Sequence, residues 1–413
     1  MISPGSWAVT SRISEPARAL LSADAVRTSA DAAFARTQRG GEPDWRLDLA
    51  KLDACADYVA ATIRARYPTL DVPFHARWRH FVFGGCDLWA EIAAARAWPD
   101  ADTRARAEFD LAIISVLLDA GAGAAWRFHD DATGLTAARS EGLALASLRF
   151  FDRGGFSAQP RDPLRVDAAR LQRLDVAGLS GAFQVSAQNN LLGLEARAGL
   201  MKRLGARVAA RPDLFALADA PRPGGLYDVL KARAAGGALP APLILEGLLD
   251  AFGPIWENRL VLDGVALGDC WTIDGLGYTP LHKLSQWLAY SLIEPLERAG
   301  LRVSAIDGLT GLAEYRNGGL FVDMGVLVPR DDVALTRSHD VSSRFVVAWR
   351  SLTVALLDRI APLVRARLGV SAEQFPLARV LEGGTWAAGR AIAREKRADG
   401  GPPFTILSDG TVF

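Results

Sequence analysis

Apolar residues recur at helical spacing through most of the chain. Between Thr103 and Ala120, the side chains of Phe109, Ile113, Val116, Leu117 and Ala120 fall on one face, and Gly121 and Gly123 then supply a stop. Residues 15–38 and 48–67 read the same way, the second ended by Pro68, which has no N–H to continue a helix. Segments 140–151, 190–204, 281–298, 345–368, 373–380 and 385–397 complete the helical set. Two stretches alternate as strands do. Residues 259–271 alternate around Asp263-Gly264, a dipeptide suited to a tight hairpin, and 404–407 with 411–413 flank Asp409-Gly410. The pattern predicts a mainly α, multi-helix fold with one or two small β-hairpins.

Loops rich in Gly, Pro and Asp interrupt the helical texture at 152–166 and 221–225. They suggest an N-terminal helical region over 1–165, a helical connector over 166–225 and a C-terminal helical region over 226–413, a division that a single continuous unit would also accommodate. A chain of 413 residues, 50% hydrophobic, can bury a large core. Lys plus Arg equals Asp plus Glu at 47 each, so no net field draws the protein to nucleic acid. Cys55, Cys86 and Cys270 form no CxxC pair, which fits a reducing compartment and three small buried side chains. The longest apolar run, 111–118, is far short of the ~18 residues a membrane span needs. The first forty residues carry Glu15, Asp24 and Asp31 and lack the apolar stretch of a signal peptide, so the expected location is cytoplasmic, without a membrane partner.

Several chemistries lack their residues here. HExxH, GxxxxGK[ST] and GxSxG are all missing, and Gly121-Ala122-Gly123 lacks the third glycine of a dinucleotide fingerprint and reads as a helix stop. Among five histidines only His75 and His80 lie close together, beside Arg77, Trp78 and Arg79, and they read as a packed corner rather than a metal site. No metal and no cofactor is expected.

The informative polar residues concentrate in 265–330. Pro280 can start a helix, and Lys283, Gln286 and Tyr290 then share a face while Leu284, Trp287 and Leu288 pack. Glu314, Arg316 and Asn317 interrupt a run that is otherwise apolar and glycine-rich, where charge is either paired or used. Gly318 and Gly319 would let backbone approach a ligand, whereas an ion pair of Arg316 with Glu314 or Asp323 would simply lock a loop. Downstream, Gly383-Gly384 reads as a turn into a helix whose free N–H groups suit a phosphate, with Arg390 nearby; a plain capped helix explains it equally well.

The strings Gly268-Asp269-Cys270-Trp271, His282-Lys283-Leu284-Ser285-Gln286-Trp287, the run from Thr310 to Gly319, Glu382-Gly383-Gly384-Thr385-Trp386 and the terminus from Ser408 to Phe413 resemble the uracil-catabolism family named after a fungal URC gene cluster. That resemblance spans nearly the whole chain and implies a route in which uracil becomes a nucleotide, its ring opens, and urea leaves a ribosylurea-type intermediate. A second resemblance joins Lys283 and Gln286 on a helix to Glu314-Tyr315-Arg316 about thirty residues later, similar to the lysine-bearing helix and Asp-Tyr-Arg segment of queuosine salvage hydrolases. Those enzymes cleave an N-ribosyl bond on a helical scaffold similar to DNA glycosylases. This chain offers Glu for Asp and Asn-Gly-Gly for a proline-containing string.

Together the resemblances imply a metal-independent N-ribosyl hydrolase acting on a small nucleoside- or nucleotide-derived substrate. In N-ribosyl cleavage positive charge grows on the sugar, and Glu314 would stabilise it or activate water. Lys283, Asp269 or Asp323 would assist the departing nitrogen. Trp271, Tyr278 and Trp287 would wall the site, with Tyr315, Asn317 and Gln286 contacting substrate and Arg316, Arg390 or Gly384 meeting any 5′-phosphate. Two other readings stand beside it. One is a non-catalytic binding or scaffold protein of the same pathway. The other is a uracil phosphoribosyltransferase, which needs paired acids before a Thr-Gly loop; here Thr310-Gly311 precedes Asp323 instead of following it.

Overall fold

The computed structural model describes residues 14–123 and 125–407. Helices dominate it, and the helical segments read from the periodicity have counterparts, except that 373–376 is a turn and helix begins there only at Leu377. We number the principal helices α1 (Ala23–Gln38), α2 (Leu52–Arg66), α3 (Ala101–Leu117), α4 (Arg139–Asp152), α5 (Leu194–Ala210), α6 (Ala241–Phe252), α7 (Lys283–Arg298), α8 (Tyr315–Asp323), α9 (Arg344–Leu368) and α10 (Trp386–Lys396). Caps set several boundaries. Asp100 accepts the Thr103 N–H at the start of α3, Ser343 accepts the Val346 N–H at the start of α9, and Gly369 ends α9 in the left-handed conformation that glycine tolerates.

One apolar cluster of buried side chains runs from Ala17 to Phe404. Helix α9 is buried along most of its length and packs on α1 and α2, while α7 packs on α3 and α6. Strands occur only as two-stranded pairs among the described residues. Val261–Leu262 and Val265–Ala266 form the hairpin expected around Asp263-Gly264. A second hairpin, Cys270–Ile273 with Gly277–Pro280, leads directly into α7.

Four expectations need correction. Residues 404–407 do not begin a hairpin: Thr405–Leu407 pairs in parallel with Ser338–Asp340, and the other predicted arm, 411–413, lies outside the described residues. The stretch around Glu314 is not a loop but the start of α8. No helix starts at Gly383-Gly384, because Leu377–Arg379, a π-helical turn Val380–Thr385 and α10 follow one another without a break, so the N–H groups there are not those of a helix start. Finally, Cys86 is exposed, unlike Cys55 and Cys270. No helix among the described residues is long and apolar enough to cross a membrane.

Candidate active site

A buried ion pair sets the geometry of the start of α7. Arg350, fully buried on α9, donates to both carboxylate oxygens of Asp269, at 2.9 and 2.8 Å. Asp269 also accepts the Lys283 backbone N–H at 2.9 Å and the Trp271 indole N–H at 2.8 Å. Burial works against the Asp269 charge, but the Arg350 guanidinium more than offsets it and holds the carboxyl below its ordinary value. Arg350 reaches further and donates to the Ala313 carbonyl. One buried pair therefore places both Lys283 and the residue before Glu314.

Helix α8 begins at Glu314 for a local reason. Its carboxylate caps the helix, accepting the Asn317 N–H at 2.6 Å and the Arg316 N–H at 2.8 Å. Gln286 and Tyr290, one turn apart on α7, clamp the preceding strand of chain: Gln286 exchanges hydrogen bonds with Thr310, and the Tyr290 hydroxyl donates to the Thr310 carbonyl. Asn317 donates to the Leu312 carbonyl and accepts from the Thr385 hydroxyl, tying α8 to the π turn.

These elements enclose a cavity of about 350 Å³. Glu314, Tyr315, Arg316, Lys283, Trp287 and Arg390 line it, as the sequence suggested. The structure places the other expected residues elsewhere. Asp269 is consumed by Arg350, and Asp323 lies at the far end of α8 in a two-bond pair with Arg397, so neither is placed to protonate a leaving group. Gln286 and Asn317 are buried supports. Trp271 lies under the Arg259 guanidinium, and Tyr278 is exposed on the hairpin. Gly384 faces α2: a Cβ there would come within 2.9 Å of Val59. Gly318 likewise meets Trp349 of α9, so it serves helix packing and not ligand approach.

The remaining wall comes from residues that sequence reasoning set aside. His75 and His80 sit between Trp287 and Trp386, with ring centroids 5.7–6.3 Å apart. His75 Nδ1 is 2.7 Å from the Glu382 carboxylate, both groups being buried, and that contact leaves Nε2 as the atom able to exchange a proton. Glu382 sits on the π turn, a distortion that often marks functional sites. Asp119 and Gly121, Ala122 and Gly123, just beyond α3, close one side; Arg139, Ser140 and Glu141 at the start of α4 close another. Asp119 is held by Arg77 at 2.9 Å and by the Ser140 hydroxyl at 2.7 Å. The spacing of His75 and His80, five positions apart, puts both on one corner, which was the only signal for them available in the sequence.

Burial shapes the protonation of the cavity. It raises the Glu314 pKa, although the two cap N–H groups and the charges of Lys283 and His75 act in the other direction. It lowers the Lys283 pKa, with Arg350 adding to the effect and Glu314 opposing it. His80 is pushed well below the usual histidine value, first by burial and then by Arg77, and is neutral at physiological pH. Glu314, Lys283 and a carboxylate-held imidazole thus face one small space, the residue types of general acid–base chemistry.

Comparison with known proteins places the chain. Protein urg3 of Schizosaccharomyces pombe is 38% identical over 410 residues, covering 95% of this chain and 98% of that protein. Uracil catabolism protein 4 of Lachancea kluyveri is 36% identical over 410 residues, covering 89% of this chain and 92% of that protein. The model of the family described as "Protein of unknown function (DUF1688)" matches residues 19–413, and the chain belongs to that family.

Proposed function

We propose that this chain acts in uracil catabolism, as the name of its Lachancea relative says of that protein, and that it hydrolyses the N-ribosyl bond of a ribosylurea-type compound to urea and ribose or its phosphate. The observation that carries the reading is Glu314, a carboxylate buried in a small cavity and fixed by two backbone N–H groups opposite Lys283. The cavity volume lies at the small end of the ~300–1,000 Å³ range of ligand sites, the right scale for one ribosyl unit with a small leaving group.

In the reaction the C1′–N bond breaks and a C1′–O bond to water forms. Glu314 faces the positive charge that develops at C1′. Lys283, with its pKa drawn down, gives a proton to the departing urea nitrogen, and His75, oriented by Glu382, accepts the proton that the attacking water loses. Trp287 and Trp386 limit water around the reacting atoms. The scheme uses side chains alone, and among the described residues no cluster of three or more His, Cys, Asp or Glu could hold a metal. One equivalent of zinc or manganese per chain by elemental analysis would overturn it.

The test is direct. Purified protein is mixed with ribosylurea and with its 5′-phosphate, and urea and free sugar are assayed. Release of both products at matching rates supports hydrolysis. Saturable binding without product over many hours turns the reading to a non-catalytic binding protein of the same pathway.

A further inference from the structure

Three arginines from distant parts of the chain meet on the cavity wall. Arg139 opens α4, Arg316 lies in the first turn of α8, and Arg390 lies on α10. Like charges repel, and this grouping is only partly compensated. Glu141 pairs with Arg390 at 2.8 Å. Asp119 is already engaged by Arg77 and Ser140. Arg316 donates to the Gly400 carbonyl at 2.8 Å and lies 5.0 Å over the Tyr315 ring, and among the described residues neither Arg316 nor Arg139 pairs with a carboxylate. Burial lowers the Arg316 pKa, Tyr315 and Glu314 oppose that, and Arg139 and Arg390 push it down again.

The backbone at Arg139 is a second, independent sign. Its φ of +54° is left-handed, a conformation that disfavours an L side chain and occurs mostly where the surroundings or the function demand it. Ala138, the residue before it, gives α4 no side-chain cap, so the positive end of the α4 dipole also falls at this wall.

We infer that Arg139, Arg316 and Arg390 form a subsite for a phosphomonoester, so that the substrate enters as a 5′-phosphorylated ribosyl compound. The inference rests on the N-ribosyl reading of the cavity, with the sugar between Glu314 and the arginines. Planar guanidinium groups donate paired hydrogen bonds to phosphate oxygens, and a dianion relieves the mutual repulsion of the three cations. A neutral ribose would leave that repulsion standing.

Calorimetric titration of the full chain with ribose 5-phosphate, ribose and inorganic phosphate tests this without any turnover. Ribose 5-phosphate is expected to bind at least about tenfold more tightly than either fragment, and Arg139→Gly to weaken it roughly ten- to a hundredfold, the span of one charge-assisted hydrogen bond. The same variant should leave ribose binding unchanged and should not lower the melting temperature, because glycine suits the left-handed backbone there. Equal affinity for ribose and ribose 5-phosphate overturns the subsite. Inorganic phosphate matching ribose 5-phosphate overturns it too, since that marks a free-anion site. The two proposals fail separately: hydrolysis of ribosylurea with no preference for its 5′-phosphate sinks only the subsite, whereas tight ribose 5-phosphate binding without any hydrolysis supports the subsite and sinks only the N-ribosyl reading.

Discussion

At the scale of single residues, Glu314 has two roles to separate, because a carboxylate that caps α8 has a structural reason to be there. Glu314→Gln keeps an acceptor for the cap and removes the charge. Turnover on the ribosylurea substrate should fall ~10²–10⁴-fold with substrate affinity nearly kept, as expected for loss of one positioned charge. Lys283→Met keeps the aliphatic stem and should also lower turnover, by less if water protonates the leaving nitrogen. An active Glu314→Gln protein with a lowered melting temperature would leave Glu314 as a cap and nothing more. The pKa directions make a separate prediction for kcat/KM against pH. Glu314 must be ionised and its pKa is raised, so the acid limb should lie above the ordinary glutamate value of ~4.3. Lys283 must be protonated and its pKa is lowered, so the alkaline limb should lie below ~10.4. An alkaline limb that survives in Lys283→Met removes the lysine from proton transfer. Glu314, Lys283 and Arg316, which line the cavity, were legible as candidates because polar groups in apolar surroundings need either a partner or a task. Asp269 and Asp323 were legible as unusual but not as spoken for, since Arg350 and Arg397 are 81 and 74 residues away from them in sequence.

At the scale of elements, the site depends on how closely α8 and α10 approach. A Cβ on Gly389 would fall 2.1 Å from the Arg316 carbonyl oxygen, and backbone cannot swing aside as a side chain can. Gly389→Ala should therefore separate the helices, destabilise the protein by about 1–3 kcal/mol or more, and displace Arg316 from the cavity. Thermal melting and ribose 5-phosphate binding should both drop; unchanged values for both would contradict the packing. Helix α8 also shows why periodicity alone was insufficient. Its nine residues contain two adjacent glycines, poor helix formers, and its stability comes from the Glu314 cap and from the fit of Gly318 against Trp349. The long helices α3, α7 and α9 were readable because each repeats apolar residues over four turns or more.

For the whole molecule, the buried Asp269–Arg350 pair links the β-hairpin, α7, α9 and the start of α8, so its titration should be felt globally. Asp269 has a folded pKa below its unfolded one near ~3.9, so its stabilisation is complete above that value and is lost as the pH falls below it. Asp269→Asn leaves the Arg350 charge buried without its partner, and a loss of about 3–5 kcal/mol is expected, read as a lower melting temperature at neutral pH that converges on the parent in acid. A melting temperature equal to the parent at neutral pH would show that the pair does not bind the site together. The single apolar cluster, with α9 packed on α1 and α2 and α7 on α3, further predicts one cooperative thermal transition; two resolved transitions would indicate separately folding regions. The sequence by itself determined the helical class, the hairpin at Asp263-Gly264, the family likeness and the part of the cavity wall around Lys283 and Glu314, because apolar period and local turn chemistry act within a few residues. Only the tertiary structure decided which polar groups face the cavity and which are neutralised. The wall joins His75, Asp119, Arg139, Lys283, Glu314 and Arg390, and no local pattern couples positions so far apart; their meeting is set by how α3, α4, α7, α8 and α10 bury their apolar faces against one another.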